Sequence, residues 1–272
     1  MLMPNPYSRH WGLIPDGEPI TTPTATLFPV LWRDLPAMLK LSSQEDQQRG
    51  AGLMDWWNGD GAAQVFARDE DALLMERATG SRSLADMARE GCDDEACRIL
   101  CATAAKLHAA RPGALPDLVS LDRWFRDLEP AATKHGGILL RCADTARMLL
   151  ADPRDRVMLH GDLHHDNVLD FGPRGWCAID PHGLLGERGF DFANIFTNPD
   201  LSDPSRPVAT EPGRFARRLD VVAEAAGLNR RRLLQWILAW TGLSAAWFLE
   251  DGDPLARIDL QIAELAAAEL DR

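Results

Sequence analysis

His160-Gly161-Asp162-Leu163-His164-His165-Asp166-Asn167 is the stretch on which the reading of this chain turns, together with Ile179-Asp180-Pro181. Asp162 and Asn167 lie five residues apart, and Asp180 follows thirteen residues after Asn167, at the end of an apolar run. Val157 to His160 reads as a strand, so Asp162 is expected on a loop at its end. There a carboxylate accepts a hydrogen bond from a hydroxyl nucleophile and aligns it. Asn167 offers a neutral oxygen and Asp180 a charged one, both suited to magnesium on a nucleotide's phosphates. Val168 to Phe171 and Trp176 to Ile179 read as strands joined by the turn Gly172-Pro173-Arg174-Gly175. Hairpin pairing then sets Asn167 and Asp180 side by side at the open end. The pattern suits phosphoryl transfer to a hydroxyl.

Each residue alone has a plainer role: Asp162 as a turn former after glycine, Asn167 as a strand start, Asp180 as a strand terminator. A competing reading builds a metal-dependent hydrolase on His160, His164, His165 and Asp166. Adjacent histidines point apart, and no H-E-x-x-H spacing is present.

Upstream, the first quarter reads as β-rich. Ile20 to Trp32 is apolar and threonine-rich, and Ala37 to Leu41 is a strand after the turn Arg33-Asp34-Leu35-Pro36. Lys40, the first lysine of the chain, alternates with Met38 on one strand face, placed to reach phosphates as a point charge. Ser42 and Glu45 have capping-box spacing before a helix that Asn58-Gly59-Asp60-Gly61 ends. Gln64 to Ala67 and Ala72 to Met75 add two short strands. The pattern predicts a small antiparallel sheet with one helix. Glu76 to Gly80 interrupts it as an inter-lobe hinge, dividing the chain into 1–76 and 77–272. Beyond it, helices are expected over Glu95 to Ala109, Leu121 to Leu128, Gly137 to Leu150, Pro212 to Ala226, Asn229 to Leu249 and Pro254 to Leu270.

A net charge of −12 argues against a nucleic-acid surface and fits a cationic partner. No apolar run approaches the roughly 20 residues of a membrane span, and Met1 to Asp16 lacks a signal-peptide layout. The chain reads as a soluble cytoplasmic protein. Its five cysteines form no C-x-x-C pair and are expected as free, mostly buried thiols.

The 160–167 stretch resembles the catalytic loop of the aminoglycoside phosphotransferases, and Ile179-Asp180-Pro181 resembles their magnesium-binding segment. Trp56-Trp57-Asn58-Gly59, Gly172 to Trp176, Gly186 to Asp191 and Gly242 to Trp247 are similar to the streptomycin 6-kinase and hydroxyurea-kinase branch. The resemblance implies an α+β, bilobal protein-kinase-like fold, ATP with magnesium, and a small cationic acceptor of the streptomycin type. It carries over Asp162 as catalytic base, Asn167 and Asp180 as metal ligands, Lys40 as an ATP contact, and the backbone of Glu76 to Ala78 as adenine hinge. It also carries over Asp191 as the aspartate that braces the catalytic loop. A metabolic kinase for a sugar or amino alcohol, and a kinase-fold binding protein without catalysis, share the same pattern.

Two departures stand out. Kinases cover the phosphates with a glycine-rich loop, whereas Thr21-Thr22-Pro23-Thr24-Ala25-Thr26 has no glycine. Kinases also pair the strand lysine with a helix glutamate; here Glu45, Asp46 or neither fills that place. A cationic acceptor calls for carboxylates or an aromatic face. Glu187, Trp247 and Glu250 are the leading candidates, with Asp122, Asp251 and Asp253 behind them. His182, next to the metal segment, is placed to orient a phosphate.

Overall fold

The computed structural model describes residues 5–272; the first four positions of the Met1 to Asp16 reading and of the 1–76 lobe lie outside it. A short helix α1 (Asn5–His10) precedes β1 (Leu13–Pro15), β2 (Ile20–Thr21), β3 (Thr26–Trp32) and β4 (Leu35–Leu41). Helix α2 (Glu45–Trp57) follows, then β5 (Val65–Arg68) and β6 (Ala72–Glu76). The strands form one six-stranded sheet in the order β1-β3-β4-β6-β5, with β2 against β3. Every pairing is antiparallel.

Alternation sorts the two faces of this sheet. Phe28, Val30, Ala37, Leu39, Ala72 and Leu74 close a small outer core. Leu73 and Met75 face the other way and join Leu53, Met54 and Trp57 of α2 in the large core that runs through the rest of the chain. The helix of the small sheet is thus the element that welds it to the remainder.

Two local expectations are corrected. Trp32 pairs directly with Leu35, so the β3–β4 turn is Arg33-Asp34 alone, with φ of 51° and 65°, and Leu35 and Pro36 are strand residues. Both turn residues adopt the left-handed conformation that suits a two-residue hairpin. The Ser42–Glu45 capping box does not form. Gln44 is the N-cap and gives no side-chain cap. Ser42 Oγ instead donates to the Thr24 carbonyl at 2.7 Å, tying the glycine-free turn to the end of β4. Asn58 ends α2 in the left-handed conformation, as a C-cap does.

The remaining chain is mainly helical: α3 (Leu84–Met87), α4 (Asp93–Leu107), β7 (Val119–Ser120), α5 (Leu121–Trp124), α6 (Leu128–His135) and α7 (Ile138–Ala151). Then come β8 (Arg156–Leu159), β9 (Val168–Asp170), β10 (Trp176–Ala178), β11 (Leu184–Glu187), a 3-10 segment over Arg188–Phe196, and α8 (Arg214–Ala226), α9 (Arg230–Glu250) and α10 (Ala256–Leu270). The helix expected over Leu121 to Leu128 is broken. α5 passes through a 3-10 turn, and α6 begins at Leu128 with Pro130 in its first turn, where a missing N–H costs little. β9 and β10 form the expected hairpin, while β8 pairs with β11 and β11 runs parallel to β7. The fold is α+β.

Two buried ionic groups have different fates. Arg218 of α8 and Asp93 of α4, each 1% exposed, meet through bonds of 2.7 to 3.1 Å, and Arg218 Nη1 also donates to the carbonyls of Ile195 and Asn198. Asp259 of α10 has no such partner. Neither carboxyl oxygen has a hydrogen bond among the described residues. Burial pushes its carboxyl up to about 8, and the Ser244 hydroxyl of α9, which pulls the other way, does not overcome it. The unfolded chain releases that proton near pH 4, so folding takes up a proton between about pH 4 and 8 and stability falls as pH rises across that window. Asp259→Asn is therefore expected to raise Tm, by a margin that is small at pH 4 and widens up to pH 8. A margin constant with pH would refute it.

The five cysteines are free and four are buried. Burial pushes the Cys97 and Cys142 thiols up to about 12, which keeps them protonated. Among the described residues no helix is long and apolar enough to cross a membrane.

Candidate active site

The β9–β10 hairpin sets the frame. Val168 pairs with Ala178, and Ile179 N–H donates to the Asn167 carbonyl at 2.9 Å, so Asn167 and Asp180 flank the open end. The segment after α2 extends this hairpin: Ala63 N–H donates to the Ala178 carbonyl and Ala178 N–H to the Gly61 carbonyl, each at 2.9 Å. The two halves of the chain are therefore joined by backbone bonds next to the candidate metal ligands.

The 160–167 loop is held at both ends. Asp191, fully buried, accepts the N–H groups of His160 at 2.9 Å and Gly161 at 2.8 Å. His108, at the end of α4, meets the same carboxylate at 2.7 Å. Gly161 has a φ of 87°, and a Cβ there would press on Leu184 and His182. His182 N–H donates to the His160 carbonyl, and His160 Nε2 meets the Ile179 carbonyl at 2.8 Å. His160 of the motif is thus scaffold. His160 is buried, and burial pulls its ring down toward the neutral form despite Asp191 and Asp162.

Asp162 stands where the loop opens, its side chain 33% exposed. The Asn167 amide nitrogen lies 2.9 Å from Asp162 Oδ2 and from the Asp162 carbonyl. With its nitrogen committed there, the Asn167 amide oxygen is the atom left for a cation. Burial opposes charge on Asp162. His164, 3.4 Å from Oδ2, together with His182 and His160, outweighs burial and holds the carboxyl well below the usual carboxylate range. Asp162 is an anion at any working pH.

Asp180 has a φ of 59°, an unusual backbone state for a residue other than glycine. Its carboxylate pairs with the ammonium of Lys40, a residue 8% exposed on β4. The expected helix partners of Lys40 are corrected. Glu45 is almost fully exposed and lies 3.8 Å from Arg49 one turn on, while Asp46 lies 3.8 Å from His182. α2 reaches the site by contact instead. A Cβ on Gly50 would overlap the Pro181 carbonyl, and one on Gly183 would press on Arg49. A glycine on the helix and the bend after Asp180 meet backbone to backbone.

The glycine-free segment is a tight turn. Thr22 N–H donates to the Ala25 carbonyl at 2.9 Å, and the Thr22 hydroxyl accepts from Ala25 N–H at 3.0 Å. At the hinge, the Glu76 side chain pairs with Arg174 from the β9–β10 turn, whose other nitrogen donates to the Gly59 carbonyl at 2.5 Å. Ala78, two residues on from Glu76, packs at the edge of the large core.

The acceptor candidates scatter. Glu187 is buried and fully engaged: Arg232 and Trp236 donate to it at 2.6 to 2.8 Å and Arg154 N–H at 2.9 Å. Burial raises its pKa, but these donors outweigh burial and hold it low. It is a structural anion, not a free acceptor contact. Trp247 joins Trp124 and Trp240 edge to face, at 5.5 and 5.8 Å, and Trp124 lies 5.0 Å from His182. Glu250 is exposed and lines a surface depression with Asp127, Lys134 and His135. Asp122 and Asp251 are exposed, and Asp253 caps the Leu255 N–H at 2.9 Å.

The family profile described as aminoglycoside/hydroxyurea antibiotic resistance kinase matches residues 10–252. The chain belongs to this family. It is 57% identical to a streptomycin 3''-kinase of Klebsiella pneumoniae over 97% of this chain and 100% of that one. It is 32% identical to a streptomycin 6-kinase of Streptomyces griseus, covering 94% of this chain and 86% of that one. Among solved structures, a thermostable aminoglycoside phosphotransferase in ternary complex with ADP and hygromycin B superposes with a TM-score of 0.62. It shares 15% identity over 97% of this chain and 95% of the other. The fold is therefore kinase-like, and membership makes the chain a phosphotransferase.

Sequence reasoning missed His108, Arg174 and Gly50. His108 and Gly50 carry no motif, Arg174 reads only as part of a hairpin turn, and only the folded chain brings them to Asp191, Pro181 and Glu76.

Proposed function

We propose that the chain moves the γ-phosphate of ATP to the 3''-hydroxyl of streptomycin and so inactivates the antibiotic, in the cytoplasm where ATP is supplied. Identity supports the position: 57% to a 3''-kinase against 32% to a 6-kinase. The observation that carries the reaction is the Asp162 carboxylate held by the Asn167 amide, beside the Asp180–Lys40 pair.

In this reading the cleft lies between residues 1–76 and 77–272. Asp162 accepts the hydrogen bond of the acceptor hydroxyl and orients its oxygen on the γ-phosphorus. The new O–P bond forms as the bond to the departing ADP oxygen breaks, and the hydroxyl proton passes to Asp162. A carboxylate of low pKa suits this order, because a loose transition state asks for alignment more than early proton removal. The residues fit a hard cation: Asp180 already holds the Lys40 ammonium, and Asn167 keeps its oxygen free. Asn167 and Asp180 would hold magnesium, which neutralises phosphate charge when bound. Lys40 contacts the phosphates, the Thr21 to Thr26 turn covers them, and the backbone of Glu76 to Ala78 receives the adenine. Asp191 braces the loop.

Trp247 and Trp124 present an aromatic wall beside His182, suited to the flat guanidinium groups of streptomycin. Two-dimensional NMR of the product tests the regiochemistry. Phosphorus coupled to the 3'' position is expected; coupling at position 6 would reassign it, and turnover of ethanolamine without streptomycin would point to a metabolic kinase.

A further inference from the structure

The first two turns of α2 pose a problem that the family reading leaves open. Lys40 spends its charge on Asp180, the residue that the proposed function gives to a cation. One carboxylate oxygen cannot serve Lys40 and a metal ion alike. Once Asp180 is given up, the ammonium has three donors to place, and phosphate oxygens need not take them all. Kinases supply a glutamate from the helix, but no carboxylate of α2 is paired with Lys40 here. Glu45 is near Arg49, Asp46 is near His182, and Asp55 is 3.9 Å from Arg68.

One buried acceptor in these turns is left over. Gln48 donates outward to Asp71 at 3.2 Å. Gln47 has its amide oxygen buried with no hydrogen-bond partner. It lines, together with Lys40, Ser42, Gln48, Ala51 and Leu73, a cavity of ≈ 490 Å³ between α2 and the sheet. Gln47 and Ala51 are one helical turn apart on the same face, and Gln47 is also one turn before Gly50, whose contact fixes α2 on Pro181. A buried, unpaired acceptor lining the same cavity as a buried ammonium is costly unless some state of the protein joins them.

We propose that Gln47 is the helix partner of Lys40 in the nucleotide-bound state, a neutral amide in the place of the kinase glutamate. It is a positioning residue: its oxygen takes one Lys40 N–H and aims the others at the phosphates. Because the amide carries no charge, Lys40 presents its full positive charge to the nucleotide. The inference rests on the phosphotransfer reading for the release of Asp180, and its test does not depend on turnover.

Calorimetry with MgATP on the full chain decides it. Gln47→Met keeps length and helix propensity and removes the acceptor. It is expected to weaken MgATP binding about tenfold, the lower range for one hydrogen bond to a charged group. The Tm of the nucleotide-free protein does not fall, since the acceptor removed is unpaired in that state. Gln47→Glu, which restores an acceptor oxygen, recovers most of the affinity, and Gln48→Met has no effect. On a Lys40→Met background, Gln47→Met adds no further loss. Parent-like MgATP affinity in Gln47→Met, or losses that simply add in the double variant, would overturn the proposal. If MgATP binds as described but no acceptor is turned over, the phosphotransfer reading fails while the Gln47 assignment stands.

Discussion

Asp162→Asn is expected to lower kcat for phosphate transfer by about 10²–10⁴-fold, the range for a positioned general base. The variant should fold and bind MgATP as the parent does. Asparagine keeps an oxygen where Asp162 Oδ2 accepts from the Asn167 amide at 2.9 Å, so the loop retains its internal bond. The brace is untouched as well, because Asp191 holds the loop through the N–H groups of His160 and Gly161. What is lost is the anion. His164 keeps that charge in place against burial in the parent, and a neutral amide cannot take the hydroxyl proton. A loss confined to kcat, with KM for both substrates and Tm preserved, separates chemistry from scaffolding. Equal losses in MgATP affinity would assign Asp162 to nucleotide binding instead.

Arg218→Ala is expected to be the most destabilising single substitution among the charged residues discussed here. It strips Asp93, 1% exposed, of a guanidinium bound through two nitrogens, and leaves only the part-exposed Arg214 at 3.0 Å. It also orphans the Ile195 and Asn198 carbonyls, which Arg218 Nη1 satisfies at 2.8 and 2.7 Å. Breaking a buried pair from one side costs about 3–5 kcal/mol. For a chain of this size that lowers Tm by roughly 5–10 °C. Removing both charges, as in Arg218→Met with Asp93→Leu, should cost much less, since no unpaired buried ion remains. If the single variant melted within about 1 °C of the parent, Asp93 would have found another partner and the coupling of α4 to α8 would not rest on this pair.

The placement of the candidate site was more legible in the sequence than the packing that supports it. Asp162, Asn167 and Asp180 announce themselves through short-range spacing around a hairpin, and a hairpin's register follows from its turn. The long helices α7, α9 and α10 were legible for the same reason, as apolar repeats of helical period. Contacts made across the fold left no local trace. His108 and Asp191 are 83 residues apart, and Arg174 and Glu76 are 98 apart. Charge alone misled at Glu187. A glutamate near the metal segment reads as a ligand for a cation, yet Arg232, 45 residues on, had already claimed it. Ser42 misled by spacing, because a capping box and a tie to the Thr24 carbonyl use the same hydroxyl. Proximity to a motif predicted position well for backbone-fixed residues, and poorly for long side chains whose partners arrive from distant elements.

The central claim is that this site transfers phosphate to streptomycin with Asp162 as the aligning carboxylate. Mass spectrometry of streptomycin after incubation with the protein and MgATP, run beside Asp162→Asn, tests it most directly. The account predicts complete conversion to a monophosphate by the parent and about 1% of that product or less from the variant over the same period. Unmodified streptomycin with the parent, or equal conversion by both proteins, would contradict it.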